Sequence, residues 1–178
     1  MNLYFCGMIG SGKTTIGSRL AADLGLPFFD LDHEMNSRLG HSFHKLVAEK
    51  GWLAFRELEY SIVKDFAAKK GSIVCLGGGT IRYEWNVDAI RGTGVIVLLE
   101  ASVEELVRRV RLADRPRVNA GTTLEQDVEL MWKNEGHKYY RAADLVYKSD
   151  HKSLEQEVAD FKLLVAEDPR FSGLCARF

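Results

Sequence analysis

The sequence has few cysteines, no long apolar run and little net charge, and each shortage argues against a class of protein. Its three cysteines, Cys6, Cys75 and Cys175, are unclustered and odd in number, so a disulfide framework or a zinc site is not expected. The apolar runs are far too short to cross a bilayer, so we expect no membrane span. A net charge of -1 provides no global attraction to nucleic acid. Any anionic ligand must therefore be bound by local basic groups.

The length of 178 residues fits one domain, and we predict a single domain over residues 1–178. Met1-Asn2-Leu3 leads directly into a strand pattern without a basic region or cleavage site, so we expect no signal peptide and a cytoplasmic protein. We also expect a monomer, because no apolar face exceeds what a core needs. Residues 167–178 lack clear periodicity and fit either a packed extension or a frayed end.

Strand-like and helical patterns alternate along the chain. The predicted strands cover residues 2–6, 28–30, 72–76, 95–99 and 144–147. The predicted helices cover residues 13–24, 32–39, 43–50, 52–69, 83–91, 102–111, 124–139 and 153–165. Strands separated by helical crossovers predict an α/β fold, a three-layer sandwich around a five-stranded parallel sheet. Ligands of such folds bind at the carboxyl ends of the strands.

The most informative motif is Gly7–Thr14, which reads G-x-x-x-x-G-K-[ST] between a strand pattern and a helix pattern. Its glycines allow successive backbone N–H groups to surround a phosphate chain, and the helix that follows adds its positive dipole end. Lys13 would reach the β- and γ-phosphates, and the Thr14 hydroxyl would ligate Mg²⁺. A plain strand-to-helix turn is the alternative, but it gives no packing reason for the Lys-Thr pair.

Two carboxylates follow the second predicted strand. Asp30 and Asp32 are expected on the same side of an extended segment, because side chains alternate across a strand. One could approach Mg²⁺ through water while the other contacts an acceptor hydroxyl. As an alternative, Asp32 only caps the next helix.

Arg56 and Glu59 stand three residues apart on a predicted helix, where a side-chain contact is natural. The contact could be a common exposed ion pair, or it could hold the Arg56 fork in place to bind a substrate carboxylate. The glycines at 77–79 could form a tight turn, or could offer N–H groups to a polar substrate.

Five arginines occur between residues 108 and 117, in a segment that starts as a helix and breaks at Pro116. A solvated basic face accounts for Arg109 and Arg117. We interpret Arg115 as part of a lid, about residues 112–122, that closes over the γ-phosphate. Arg141 ends the helix before the last strand, where it could join Arg56.

Together these motifs resemble the shikimate kinase family. The resemblance covers about residues 3–160 and rests on the following segments, in this order: Gly7–Thr14, Asp30–Asp32, Phe55–Glu59, Leu76–Thr80, Arg115-Pro116 and Tyr140-Arg141. It implies a P-loop fold of the nucleoside-monophosphate-kinase type. It also implies the reaction of ATP with shikimate to give shikimate 3-phosphate and ADP, in the route to aromatic amino acids.

The resemblance also implies roles for individual residues. In the nucleotide site, Thr14 and Asp30 would hold Mg²⁺, and Arg108 would contact the adenine. The residues implied for nucleotide binding are Gly10, Ser11, Gly12, Lys13, Thr14, Thr15 and Arg108. In the shikimate site, the resemblance implies that Asp32 contacts the hydroxyls and could act as base. Arg56 and Arg141 would bind the carboxylate, and Gly78 and Gly79 would line the same site. The catalytic set is Lys13, Asp32 and the lid residue Arg115.

Some positions depart from the family pattern, and two other functions stay open. Arg117-Val118 stands where two leucines are usual, and Trp52 stands where an acidic residue is common, which puts lid closure and substrate fidelity in question. A kinase for another small hydroxy acid, such as gluconate, could share the P-loop frame. A non-catalytic nucleotide-binding switch should have lost charged residues around the acceptor. This chain keeps four of them: Asp32, Arg56, Arg115 and Arg141.

Overall fold

The computed structural model describes residues 1–110, 119 and 121–174, and its strands form one five-stranded sheet. The strands are β1 (Asn2–Cys6), β2 (Phe28–Asp30), β3 (Ile73–Cys75), β4 (Gly94–Glu100) and β5 (Leu145–Lys148). Their order is β2-β3-β1-β4-β5, and every neighbouring pair is parallel. The predicted parallel α/β sheet is confirmed, with each strand within a residue of its predicted bounds at either end.

The helices connect the strands as crossovers. They are α1 (Lys13–Leu24), α2 (Leu31–Leu39), α3 (Phe43–Ala67), α4 (Glu84–Ile90), α5 (Val103–Val110), α6 (Leu124–Ala142) and α7 (Leu154–Glu167). Short 3₁₀ turns cover Thr80–Arg82 and Pro169–Phe171. The sequence predicts two helices in place of α3, and the structure has a break at that point, since Gly51 is non-helical with φ 79° and ψ 178°. This conformation suits glycine because its positive φ strains residues that carry a Cβ.

The core lies on both faces of the sheet, and β1 contributes to each face. Tyr4 and Cys6 pack into the cluster formed with α2, α3, α4, α5 and α6, whereas Leu3 and Phe5 pack into the cluster formed with α1 and α7. Side chains alternate across a strand, so a strand that is buried on both faces must be apolar at nearly every position. This burial explains the continuous apolar run before the P-loop and places β1 at the centre of the sheet.

The C-terminal segment packs against the domain as far as the structure describes it. Phe171 and Leu174 are 1% and 3% exposed, and the amino group of Met1 donates to the carbonyl of Gly173 at 3.2 Å. Of the two alternatives for residues 167–178, the packed extension holds through Leu174. Residues 175–178 lie outside the described part, as do most of the predicted lid, residues 112–122, and its Arg115.

The topology brings three segments to one edge of the sheet. The P-loop follows β1, Asp30 ends β2, and the glycines at 77–79 follow β3. Because β2, β3 and β1 are adjacent and parallel, their carboxyl ends share this edge. Within the described residues, no helix is both long and apolar enough to span a membrane.

Candidate active site

The P-loop turns tightly between β1 and α1. Gly10 and Gly12 have φ values of 79° and 92°, in the left-handed region that favours glycine. A Cβ built on Gly10 would lie 2.5 Å from Cγ2 of Val110 and 3.1 Å from the carbonyl of Leu106, so a larger residue cannot fit there. Ser11 is fully buried. The loop is therefore held closely against α5, with its backbone shaped to surround an anion.

The side chain of Lys13 lies inside this loop. Its Nζ donates to the carbonyls of Gly7 and Met8, each at 2.9 Å. Burial lowers the pKa of Lys13, and the negative charge of Asp32 is the largest opposing influence. A phosphate chain in the loop would meet a positive charge that is already placed there.

Thr14 and Asp30 are in direct contact, as the predicted metal site requires. The Thr14 hydroxyl donates to Oδ2 of Asp30 at 2.7 Å. These are hard oxygen donors of the type that Mg²⁺ prefers. Within the part of the chain that the structure describes, three or more His, Cys, Asp or Glu residues nowhere gather into a metal cluster, so the ion would need phosphate and water for its other ligands. The donor set fits Mg²⁺ bound together with a nucleotide. Thr15 is exposed in the same first turn of α1.

The predicted extended geometry of Asp30-Leu31-Asp32 is wrong. Oδ1 of Asp30 accepts from the backbone N–H of His33 at 3.1 Å, so Asp30 caps α2 and the helix begins at Leu31. Asp32 therefore lies in the first helical turn and does not alternate with Asp30 along a strand. The capping role that was open for Asp32 belongs to Asp30. Asp32 nevertheless faces the site, since a Cβ on Gly77 would lie 3.2 Å from its Oδ1.

The three glycines after β3 occupy the middle of the site. Gly77 lies beside Asp32, and a Cβ on Gly78 would lie 3.6 Å from the backbone nitrogen of Ile9 in the P-loop. The Tyr139 hydroxyl donates to the carbonyl of Gly78, which connects α6 to this turn. The turn therefore lies between the phosphate loop and the acceptor side of the site.

Arg56 and Glu59 form a buried ion pair, so the alternative of an exposed pair is excluded. Nη1 of Arg56 donates to Oε2 of Glu59 at 2.7 Å, and the side chains are 13% and 1% exposed. Glu59 also accepts from the Thr80 hydroxyl at 2.9 Å and from Nδ2 of Asn86 at 3.2 Å. The carboxylate thus has several donors, and it fixes the fork of Arg56 relative to the turn after the glycines.

Aromatic rings surround the rest of the Arg56 guanidinium. Its Cζ lies 4.4 Å from the ring centre of Tyr83, 4.7 Å from that of Phe55 and 5.6 Å from that of Trp52. Its Nε is buried and has no hydrogen-bond partner among the described residues. Buried donors without a partner are rare, and this one is suited to a ligand oxygen.

Arg141, the second arginine predicted to bind a carboxylate, is exposed, unlike Arg56. Arg141 has a side chain that is 72% exposed, and it pairs with Glu84, which is equally exposed. Arg82, which the sequence interpretation did not include, is half-buried against Gly79. The two arginines therefore differ in how closely they approach the glycine turn.

The arginines of α5 occupy two different environments. Arg108 is 71% exposed and pairs with Glu105. Hydrogen bonds from Arg108 and Arg109 lower the pKa of Glu105 to about 2, while its partial burial opposes the shift. Arg109 is 21% exposed, and its guanidinium donates to the hydroxyl and carbonyl of Ser149 at 3.3 and 3.2 Å. The prediction that Arg109 belongs to a solvated face is wrong, because this arginine links α5 to the end of β5.

The residues that sequence reasoning missed act through tertiary contacts. Thr80 follows the glycines directly, and its polar side chain at that position was the only feature of the sequence that indicated a role in the site. Asn86, whose Nδ2 donates to the Thr80 carbonyl at 3.0 Å, had no signal, and neither did Arg82. Their roles depend on the way α3, α4 and α6 pack around one turn.

A phosphate-binding loop and a buried arginine at one edge of a parallel sheet define a P-loop kinase for a small acidic molecule. The family model described as shikimate kinase matches residues 9–165 of the chain. The chain belongs to the shikimate kinase family. It is therefore a phosphotransferase that uses ATP as co-substrate and an alcohol group as acceptor.

Individual relatives agree with this membership. The chain is 34% identical to the shikimate kinase of Chlorobium luteolum over 166 residues, which cover 89% of this chain and 82% of the relative. It is 36% identical to that of Chlorobium limicola, with 89% and 83% covered. The shikimate kinase of Acinetobacter baumannii, solved in complex with shikimate, matches with a TM-score of 0.87, 25% identity and 94% of each chain covered. A deoxyadenosine kinase from M. mycoides, with a TM-score of 0.60 and 14% identity over 93% of this chain and 98% of its own, shares the fold alone.

Proposed function

We propose that the protein transfers the γ-phosphoryl group of ATP to the 3-hydroxyl of shikimate, giving shikimate 3-phosphate and ADP. The observation that carries the proposal is the environment of Arg56. Its guanidinium is almost fully buried at the glycine turn, held by Glu59, with the Nε donor unpaired among the described residues. A carboxylate supplied by the substrate satisfies such a group, and the P-loop lies on the opposite side of the same turn.

The nucleotide half of the mechanism rests on Gly10, Ser11, Gly12, Lys13 and Thr15. The loop amides and Lys13 hold the phosphates in one orientation and compensate their negative charge. Thr14 and Asp30 would hold Mg²⁺, which supplies further charge neutralisation when it is bound. We assign Arg108 to the adenine, a role that its exposed position on α5 allows.

The acceptor half rests on Asp32. This carboxylate lies beside Gly77, and its charge acts on Lys13, so it stands between the acceptor side and the phosphate side. It orients the attacking hydroxyl and accepts its proton as the bond to phosphorus forms. Gly78 and Gly79 line the ring of the substrate without a side chain in the way. The protein acts by positioning and charge compensation, with no covalent intermediate.

A panel of hydroxy acids in a coupled ADP-release assay tests the proposal. Shikimate, quinate and gluconate are compared as acceptors at saturating ATP and Mg²⁺. We expect shikimate to have the highest kcat/KM. Faster turnover of gluconate would transfer the assignment to another acid, and nucleotide binding without turnover of any acceptor would favour the switch.

Three further predictions concern the setting of the reaction. We propose that the protein acts as a monomer in the cytoplasm and binds no nucleic acid. Light scattering after size-exclusion chromatography should give the mass of a single chain, about 20 kDa. A mass of twice that value would refute the monomer.

A further inference from the structure

The three glycines at 77–79 need hydrogen bonds to hold one conformation, because glycine adopts a wider range of backbone angles than any other residue. The carbonyl of Gly77 accepts from the backbone N–H of Thr80 at 3.1 Å. The carbonyl of Gly79 accepts from the backbone N–H of Arg82 at 3.2 Å. Both contacts stay within the turn, and the carbonyl between them is bound from another part of the fold.

Tyr139 on α6 supplies the partner for this middle carbonyl. Its hydroxyl donates to the carbonyl of Gly78, which lies 61 residues away in the chain. The side chain of Tyr139 is 1% exposed, and its ring centre lies 5.9 Å from that of Trp132 on the same helix. Packing on the ring leaves the hydroxyl little freedom to move. The hydroxyl is therefore a fixed donor that joins α6 to the middle of the glycine turn.

The surroundings of Tyr139 keep this hydroxyl protonated. Burial is the largest influence and raises the pKa of Tyr139, while the positive charges of Arg82 and Arg56 oppose the rise without reversing it. A protonated phenol donates a hydrogen bond, whereas a phenolate could only accept one and would repel the carbonyl of Gly78. The contact is therefore present at neutral pH.

The contact also sets the direction of the next N–H group. The peptide between Gly78 and Gly79 is trans, and the C=O and N–H of a planar trans peptide point in opposite directions. Because the carbonyl of Gly78 is directed at α6, the N–H of Gly79 points away from α6. A Cβ on Gly78 would lie 3.6 Å from the backbone nitrogen of Ile9, so this peptide stands beside the phosphate loop.

We infer that Tyr139 is a positioning residue for the acceptor: its hydroxyl orients the Gly78–Gly79 peptide so that the N–H of Gly79 is presented to an oxygen of the substrate. The inference rests on the proposed function and adds a residue to its acceptor site. Tyr139 acts through the turn and not on the substrate itself. It fixes the donor before the substrate binds, so the cost of ordering three glycines is not incurred during binding.

Steady-state kinetics of Tyr139→Phe test the inference. The substitution removes one oxygen atom and keeps the ring that packs in the core. We expect KM for shikimate to rise about tenfold, as the loss of one buried hydrogen bond predicts, with KM for ATP unchanged within about twofold. Tyr147→Phe is the matched control, because Tyr147 is also buried and donates to Asp160 at 2.7 Å, but packs in the cluster with α1 and α7. It should leave KM for shikimate unchanged within about twofold.

The ¹³C chemical shift of the Gly78 carbonyl measures the contact without any turnover. It should change in Tyr139→Phe and stay the same in Tyr147→Phe. A changed shift with an unaltered KM for shikimate would overturn the inference. Equal increases of KM for shikimate and ATP, or an increase in Tyr147→Phe as large as in Tyr139→Phe, would mean that the hydroxyl only supports the fold, and would overturn it as well. If the unmodified protein does not phosphorylate shikimate, the proposed function itself fails, and the assignment to its acceptor site fails with it whatever the carbonyl shift shows.

Discussion

Glu59 accepts a hydrogen bond from Nη1 of Arg56 at 2.7 Å while its own side chain is 1% exposed. Removing one partner of a buried pair leaves the other charge without compensation, which costs about 3–5 kcal/mol. We expect Glu59→Ala to lower the free energy of unfolding by about 3 kcal/mol, measured by urea denaturation. KM for shikimate should rise as well, because the fork of Arg56 loses the group that fixes it.

Glu57 provides the matched control for this prediction. It lies two residues earlier on α3 and is exposed. Glu57→Ala should change the unfolding free energy by less than about 0.5 kcal/mol. Equal effects of the two substitutions would show that the Glu59 network contributes no more than any surface carboxylate.

Lys13→Ala should abolish turnover with little change in shikimate binding. Its Nζ lies within the loop that holds the phosphates, donating to Gly7 and Met8. Without the positive charge of Lys13, the negative charge on the transferred phosphoryl group is not compensated in the loop. We therefore expect kcat to fall by about 10³-fold or more. Coupled assays at saturating ATP measure the loss, and equilibrium dialysis with shikimate provides the control. Turnover within tenfold of the original would contradict the role.

Thr14→Ala should raise the Mg²⁺ concentration needed for half-maximal rate. The Thr14 hydroxyl lies 2.7 Å from Oδ2 of Asp30, and the substitution removes one oxygen donor of the proposed metal site. Magnesium titrations at fixed ATP measure the effect. Ser18→Ala, on the exposed side of the same helix, is the control and should leave the titration unchanged. Superimposable curves for Thr14→Ala and the unmodified protein would remove Thr14 from the metal site.

Arg115→Ala should lower kcat by about 10²-fold, because a lid arginine compensates charge on the transferred phosphoryl group. This prediction rests on the sequence, since Arg115 lies outside the described residues. Arg117→Ala is the control, as Arg117 is assigned to the solvated face. An unchanged kcat for Arg115→Ala would exclude it from the mechanism.

The sequence was sufficient for features that depend on local pattern. The strand–loop–helix around Gly7–Thr14 and the buried strands β1, β3 and β4 follow from apolar periodicity and glycine positions, and all are confirmed. The contact of Arg56 with Glu59 also followed from their spacing on one helix.

Features that depend on competition or on packing could not be predicted in this way. Asp30 ends β2 and also caps α2, because its side chain satisfies the free N–H of His33, whereas the sequence offered the capping role only to Asp32. Arg109 looks like a surface residue in the sequence, but it contacts Ser149, which follows β5 and lies forty residues later in the chain. The position of Arg82 beside Gly79 depends on the turn after the glycines and on the packing of α6 against it. Helix α6 lies more than forty residues later in the chain.

Cys6 should make the protein less stable at alkaline pH. Burial raises the pKa of its thiol from 9.0 to about 12 in the folded state. Above pH 9 the unfolded chain therefore releases this proton while the folded chain retains it, so the unfolded state is favoured as the pH rises. The contribution of one such thiol to the unfolding free energy falls by about 1.4 kcal/mol per pH unit between the two pKa values.

The comparison of unmodified protein with Cys6→Ala isolates this contribution, because the two proteins differ in this one side chain. Urea denaturation at several pH values from 8 to 11 should give a steeper loss of stability for the unmodified protein than for Cys6→Ala, whatever their difference at pH 8. Cys75, whose thiol pKa is also raised by burial, should behave in the same way when it is replaced. Parallel curves for the unmodified protein and Cys6→Ala would mean that the thiol ionises as easily in the fold as in the open chain, which its full burial beside Leu98 in the sheet does not permit.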